Sequence, residues 1–402
     1  MTDIARSAIA PQVPEQMPGL SAQRSLLIAV IGFLTLVDLF ATQAILPSLA
    51  EAYGVTPAEI GVAANASTLG MAVAGLFVGA FSASVERKRA IALSLLLLAI
   101  PTALLAFAPN LTVFALLRVT QGLFMASAFT LTLTHLAERC EFRTASALAA
   151  YVTGAVASNL VGRLTAALVA SLVGAESSFL FFAGLNVAGA ALVAVALHRN
   201  APEPMARMGR FWAPWIRHLA DPALRRTFAI GFLILFGFIG VFTYVGFVLM
   251  RPPHELSMTA LGLVFIVFLP SMITTPMAGA AVRRTGPGFA VTASLGVALA
   301  GLAMMLAPSL PVLVAGMTLV GVGTFFAQAV ATGHVGRIAK DEKAAASGLY
   351  LSSYYCGGLA GAAVVGQLFD RFGWFAAVVG VFAALALGAL HGSRLVSPEG
   401  AR

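Results

Sequence analysis

The chain is poor in charge: only 10% of its 402 residues are Asp, Glu, Lys or Arg, where a soluble globular protein carries about a quarter. That composition excludes a soluble enzyme. Cysteine is nearly absent, with Cys140 in a polar loop and Cys356 inside an apolar run, so no disulfide framework is available. The candidate metal cluster His135, Glu138, Cys140 and Glu141 mixes a helix end with a loop and lacks a recognised ligand spacing. No metal and no cofactor are expected. Walker loops, dinucleotide-binding glycine motifs and His-Glu-x-x-His are missing as well, which leaves ATP-driven transport and hydrolysis without support.

What fills the chain is apolar sequence, 59% hydrophobic with a mean hydropathy of +0.93. Runs long enough to cross a bilayer as helices of about 20 residues fall near 25–48, 58–82, 89–108, 111–134, 145–172, 177–197, 227–250, 259–281, 288–307, 310–332, 345–368 and 373–393. Lipid must therefore solvate most of the chain, and the fold class is an all-α integral membrane protein of twelve transmembrane helices. The opening 24 residues lack the basic start and cleavable apolar segment of a signal peptide.

The net charge of +8 would raise the question of nucleic acid in a soluble protein. Here the location of the charges answers it. With a cytoplasmic amino terminus, 20 of the 24 Lys and Arg fall in inner segments, Arg251 and Arg371 in outer loops, and Arg118 and Arg163 in spans. The bias is a topogenic signal: both termini are expected in the cytoplasm of a cell whose inner membrane holds the protein.

The chain also repeats itself at an offset of 199 to 201 residues. Ile31-Gly32-Phe33-Leu34 recurs as Ile230-Gly231-Phe232-Leu233, Pro109-x-Leu111-x-Val113 as Pro308-x-Leu310-x-Val312, and Gly79, Gly122, Tyr151 and Gly162 fall on Gly279, Gly321, Tyr350 and Gly361. The expected organisation is a tail (1–24), a six-helix bundle (25–198), a proline-containing basic linker (199–226), a second six-helix bundle (227–393) and a tail (394–402). Two pseudo-symmetric six-helix bundles in parallel suggest alternating access around a site near mid-membrane.

Three ionisable residues lie deep in otherwise apolar spans: Asp38, Arg118 and Arg163. Unpaired, each costs several kcal/mol, so a functional role is the default reading. Their depths agree within about one helical turn, and the trio is expected to satisfy one another in one layer. Asp38 alone in it can load and release a proton, since arginine stays charged. Gln121 follows Arg118 on its face, and Tyr151, Ala155, Asn159 and Arg163 recur every four residues. From the second half, Tyr244, Tyr350, Tyr354, Phe232, Phe236 and Phe242 are candidates for the cavity wall. Gln43 lies off the Asp38 face and can serve a neighbouring helix or a substrate equally. Gly75-x-x-x-Gly79 and Gly357-x-x-x-Gly361 read as packing glycines.

On these residues the chain resembles the major facilitator superfamily, and within it the twelve-span drug:proton antiporter branch, from Ser25 to His391. The family loop Gly-x-x-x-Asp-Arg-x-Gly-Arg-Lys is matched in register by Gly79 through Lys88, with Arg87 and Lys88 at its basic end and Ala83 in place of the acid. The second-half loop, with Gly279, Arg283, Arg284 and Gly286, also lacks the acid. The resemblance implies a weakened cytoplasmic lock unless Glu86 substitutes. Arg118-Val119-Thr120-Gln121-Gly122 matches Arg-x-x-Gln-Gly, whose arginine the family ties to proton coupling. Gly154, Gly162 and Arg163 fit part of the antiporter motif, with Ser158-Asn159 where two glycines are common.

The expected function is proton-coupled export of small hydrophobic or amphipathic compounds by a monomer in the bilayer, with protons and a small-molecule substrate as its partners and no enzymatic activity. Proton-coupled uptake or exchange of a small organic anion held by Arg118 and Arg163 is the alternative. A transporter-fold sensor or membrane enzyme is the reading from another class.

Overall fold

The computed structural model describes residues 21–81, 85–139, 144–197, 213–339 and 342–395. Regular structure among the described residues is helical throughout. The first six crossings are built from α1 (Ala22–Ala44), α2 (Leu46–Tyr53), α3 (Pro57–Asn65), α4 (Ser67–Phe81), α5 (Arg87–Leu105), α6 (Leu111–Arg139), α7 (Thr144–Val173) and α8 (Ala175–Ala196). A short α9 (Ala213–Ala220) leads into α10 (Pro222–Leu249), α11 (Met258–Val264), α12 (Leu269–Thr274), α13 (Ala278–Met304), α14 (Leu310–Ile338) and α15 (Lys343–Gly392).

Ten helical stretches among the described residues are long and apolar enough to cross a membrane, and two are of double length: 47 residues at Met258–Met304 and 50 at Lys343–Gly392. Each is interrupted by one glycine at positive φ, Gly286 at 80° and Gly373 at 76°, a conformation that side chains with a Cβ rarely adopt. Past the second break the chain turns back, since Gly380 packs on Leu368. In a straight helix those twelve positions would span about 18 Å. Divided at the two glycines, the stretches give the twelve crossings expected from hydropathy.

Three expected boundaries are corrected. The second crossing is not one helix: α3 stops at Asn65 and α4 begins at Ser67. The eighth is broken into α11, a 3₁₀ turn at Phe265–Phe268, α12 and a 3₁₀ turn at Thr275–Met277, because Pro270 and Pro276 each remove a backbone donor from the ladder. The seventh begins at Pro222, inside the expected linker, because Asp221 Oδ1 accepts from Ala223 N at 2.8 Å and Leu224 N at 3.3 Å and so starts the helix there. The tails at 1–20 and 396–402, the linker segment 198–212, the loop at 82–84 with Ala83, and Cys140 and Glu141 lie outside the described residues.

The repeat in the sequence is repeated in the packing. Gly32 lies against Tyr151 and Gly231 against Tyr350, Gly162 against Val37 and Gly361 against Phe236, Gly189 against Leu34 and Gly388 against Leu233. Each of these second-half pairs stands 199 positions after its first-half counterpart. Between the halves, α3 and α4 pack along α15: Gly75 meets Gly348, and Ser352 Oγ donates to the Ala72 carbonyl at 2.6 Å. At the end where α4 stops, Trp215 of α9 packs edge-on against Phe77 (6.0 Å), and Arg217 pairs with Glu342 at 2.7 Å.

Candidate functional site

The centre of the first half is a ring of hydrogen bonds drawn from four helices. Gly122 brings α6 against the Ser67 carbonyl so closely that a Cβ there would overlap it. This contact sets Arg118, one turn earlier, against the break between α3 and α4, where interrupted helix ends leave carbonyls for other donors. Arg118 Nε donates to the Ala64 carbonyl at 2.7 Å, Nη2 to Ser67 Oγ at 3.1 Å, and Nη1 to the Asp38 carbonyl at 3.2 Å and Gln121 Oε1 at 2.6 Å. Gln121 Nε2 passes the chain to Thr102 Oγ1 at 2.8 Å. Asn186 Nδ2 closes it, donating to Thr102 Oγ1 at 3.3 Å and to Asp38 Oδ2 at 2.7 Å. Asp38, Arg118, Gln121, Thr102 and Asn186 are all buried. The spacing of Arg-x-x-Gln-Gly thus has a physical reason: glycine permits the approach, arginine uses the freed carbonyls, and glutamine links onward.

The expected layer of one acid and two mutually satisfied arginines is corrected. Arg118 reaches the backbone of Asp38, not its carboxylate. Arg163 is elsewhere, enclosed by five phenylalanines, with its guanidinium carbon 4.3 Å from the ring centre of Phe265, 4.8 Å from Phe268, 5.6 Å from Phe40 and Phe242, and 6.0 Å from Phe238. Gln43 Oε1 accepts from Arg163 Nη2. Gln43 Nε2 donates to Asn65 Oδ1 at 3.1 Å, and Asn65 Nδ2 donates to Thr243 Oγ1 at 3.1 Å in the second half. This second network crosses between the halves, whereas the Asp38 ring stays within one. Beyond it, at the end away from α9, a cavity of about 370 Å³ opens between Pro47, Glu51 and Gly54 of the first half and Phe247 and Arg251 of the second.

The remaining expected wall residues are mostly packing. Tyr151 is fully buried, its hydroxyl 2.9 Å from Thr35 Oγ1. The Tyr350 hydroxyl donates to Gln328 Oε1 at 2.7 Å, and Tyr354 stacks on Tyr350. The Tyr244 hydroxyl donates to the Ala362 carbonyl at 2.5 Å and its ring stacks on Phe369, which corrects its placement in a cavity wall. Asn159 is fully buried, and neither amide atom has a hydrogen-bond partner. In the loop set, Gly79 lies in α4 and Gly279 in α13. Arg87 is buried, Lys88 half-buried and Arg284 exposed, while Gly286 is the break itself. Glu86 pairs with Arg89 at 2.9 Å.

Sequence reasoning missed Asn186, Thr102, Asn65 and Thr243. A lone amide within an apolar run is itself a costly intramembrane group, and that signal marks both Asn65 and Asn186.

Twelve apolar crossings with the first-half packing reused in the second, and a buried polar ring between helices, make the architecture of a multi-pass membrane transporter. The family model of the Major Facilitator Superfamily matches residues 28–309, and the chain belongs to that superfamily. It is 31% identical over 379 residues to the inner membrane transport protein YnfM of Escherichia coli (strain K12), covering 90% of this chain and 88% of that one. It is 27% identical to the MFS-type transporter YybF of Bacillus subtilis (strain 168), covering 89% of each. The crystal structure of the nucleoside transporter NupG superposes with a TM-score of 0.75 at 15% identity, over 93% of this chain and all of that one (100%), which shows the shared fold. The protein is a multi-pass membrane transporter of a small molecule rather than an enzyme.

Proposed function

We propose that the chain is a proton-coupled transporter of the inner membrane that exports small hydrophobic or amphipathic compounds by alternating access, with Asp38 as the proton carrier. The observation that carries this reading is the setting of the Asp38 carboxylate: 3% exposed, bonded to the neutral amide of Asn186, and separate from the bonds that hold Arg118. All four of Arg118's hydrogen bonds go to neutral oxygens. A proton can therefore join or leave Asp38 without dismantling them, while Arg118 remains a fixed positive charge nearby. A permanent ion pair would hold the acid in one state.

The topology of the proposal follows from the charges: the parts of α5, α13 and α14 that hold Arg87, Lys88, Arg283, Arg284 and Arg337 face the cytoplasm, as do both termini. One chain supplies both halves of the pathway, so the working unit is a monomer.

The test is flux in proteoliposomes under an imposed pH gradient, using a panel of radiolabelled amphipathic compounds. Asp38→Asn keeps the shape and a hydrogen-bonding group. Uphill accumulation is expected to collapse, with downhill exchange surviving. A folded variant that concentrates substrate as the parent does would refute the role of Asp38.

A further inference from the structure

Arg163 is fully buried, and its Nε and Nη1 have no hydrogen-bond partner. Asn159 lies one turn earlier on the same face of α7 and is equally buried, with both amide atoms unpartnered. Buried polar groups without partners are rare in native proteins and ask for a reason. Packing does not supply one. At the corresponding positions 199 residues on, the second half has Gly358, against which Leu235 packs, and Ala362, neither with a polar side chain.

The rings around Arg163 come from both halves: Phe40 from α1, Phe238 and Phe242 from α10, and Phe265 and Phe268 from the turn after α11. Their faces attract the guanidinium by cation–π interaction. Separation of the halves at this end would take away the four rings that belong to the second half and uncover the guanidinium. Arg118 offers no comparable face to a ligand, because its nitrogens are held by Ala64, Ser67, Asp38 and Gln121.

We propose that Arg163 and Asn159 recognise the head group of the transported molecule, and that its chemical class is a monocarboxylate carried on a flat apolar body. This inference rests on the transporter reading and names its substrate class. One guanidinium with two nitrogens, Nε and Nη1, left without a partner matches one anionic group. The Asn159 amide adds a donor beside it. The phenylalanines suit an aromatic or flat hydrocarbon body stacked on their faces. A cationic head meets like charge at Arg163, and a polyhydroxylated body would leave its hydroxyls unmet among the rings. Arg163 thus alternates between two partners: the rings when the halves are closed here, a carboxylate when they are open.

The experiment is equilibrium binding to the purified full chain with three probes of nearly equal shape: 1-naphthoate, 1-naphthylmethanol and 1-naphthylmethylamine. Naphthoate is expected to bind at least tenfold tighter than the alcohol or the amine. Arg163→Gln is expected to abolish that preference, and Asn159→Leu to weaken naphthoate several-fold and by more than it weakens the alcohol. If Arg163→Gln does not fold, Arg163→Lys with Asn159→Leu carries the same comparison, since a lysine ammonium cannot reproduce the planar donor set. Equal binding of the three probes, no binding of any, or a preference that survives these changes overturns the proposal. Asp38→Asn separates the two readings. Naphthoate preference kept in that variant, together with proton-driven flux equal to the parent's, would sink the coupling and leave the anion site standing. Proton-driven flux that the parent shows and the variant loses, with no carboxylate preference in either, would do the reverse.

Discussion

Where the first half sets Asp38 against Asn186, the second half sets Gly237 beneath Leu385, whose side chain occupies the space a Cβ on that glycine would need. Arg118 and Gln121 correspond in the same way to Met317 and Val320, both fully buried. The backbones pack alike, since Gly32 with Tyr151 and Gly231 with Tyr350 make the same contact. One scaffold therefore folds with either filling. The apolar filling shows that the polar ring is not demanded by the packing, and replacing buried ionic groups by apolar ones is often neutral or stabilising. What the first half retains at that cost is a group that can change its charge.

The sharpest way to break the comparison is to give the first half the second half's residue. Arg118→Met leaves the Asp38 carboxylate buried without its nearby cation and takes the donors from Ala64, Ser67 and Gln121. Removing one member of a buried charged set costs roughly 3–5 kcal/mol. Loss of transport and a large drop in the unfolding midpoint are expected, read by flux and by thermal denaturation in detergent. Full stability in this variant would mean that the ring contributes nothing to the fold, and full transport would remove Arg118 from the mechanism.

Asn186→Leu imports the partner of Gly237 and should act more gently. It removes the hydrogen bond to Asp38 Oδ2 and one to Thr102, leaving Arg118 in place. The cost of an unmet buried acceptor is about 1–3 kcal/mol. Proton-driven flux is expected to fall by about tenfold or more, with probe binding at Arg163 unchanged, because the two networks use different residues. Equal losses in flux and binding would show that the networks are one.

The difference between the halves was only partly legible in the sequence. Hydropathy located all twelve crossings, and the fixed offset of the repeat paired the positions of the two halves, although not the contact of Gly32 with Tyr151 that both halves make. Arg118 with Gln121 was readable because the motif keeps both on one helical face. The closure of the ring was not, since Asn186 and Thr102 come from helices remote in sequence and carry no charge to mark them. The separation of Arg163 from Asp38 was missed for a related reason. Depth along a helix fixes a layer but not an azimuth, and the enclosing Phe265 and Phe268 sit in a 3₁₀ turn that apolar periodicity does not reveal. The pattern Gly366-x-x-x-Asp370-Arg371-x-Gly373 also went unread. It repeats the family loop motif with its acid intact, but after the eleventh crossing.

That acid supplies the smallest effect and a second comparison, between the two ends of the contact of α3 and α4 with α15. At the end away from α9, Asp370 Oδ2 accepts from Ala58 N at 3.2 Å, in the first turn of α3, so a carboxylate from one half meets the helix start of the other. First-turn N–H groups lack intrahelical partners, and the helix dipole favours an anion there. Thr56 and Glu59 already form a capping box on this helix, so Asp370 adds to an existing cap. At the opposite end the loop position for such an acid is Ala83. Asp370→Ala should therefore loosen closure at its own end by about 1 kcal/mol, typical of a lost cap. That amounts to roughly a fivefold change in the population of molecules open there. In a background with Cys140 and Cys356 replaced by serine, a Glu51→Cys probe should react about fivefold faster with an impermeant maleimide when Asp370→Ala is added. Restoring an acid with Ala83→Asp should push labelling the same way, by stabilising closure at the other end. Unchanged labelling in Asp370→Ala would mean that the carboxylate decorates the contact without holding it, and that the other contacts at this end, the phenylalanines around Arg163 and the Asn65–Thr243 hydrogen bond among them, keep the halves together.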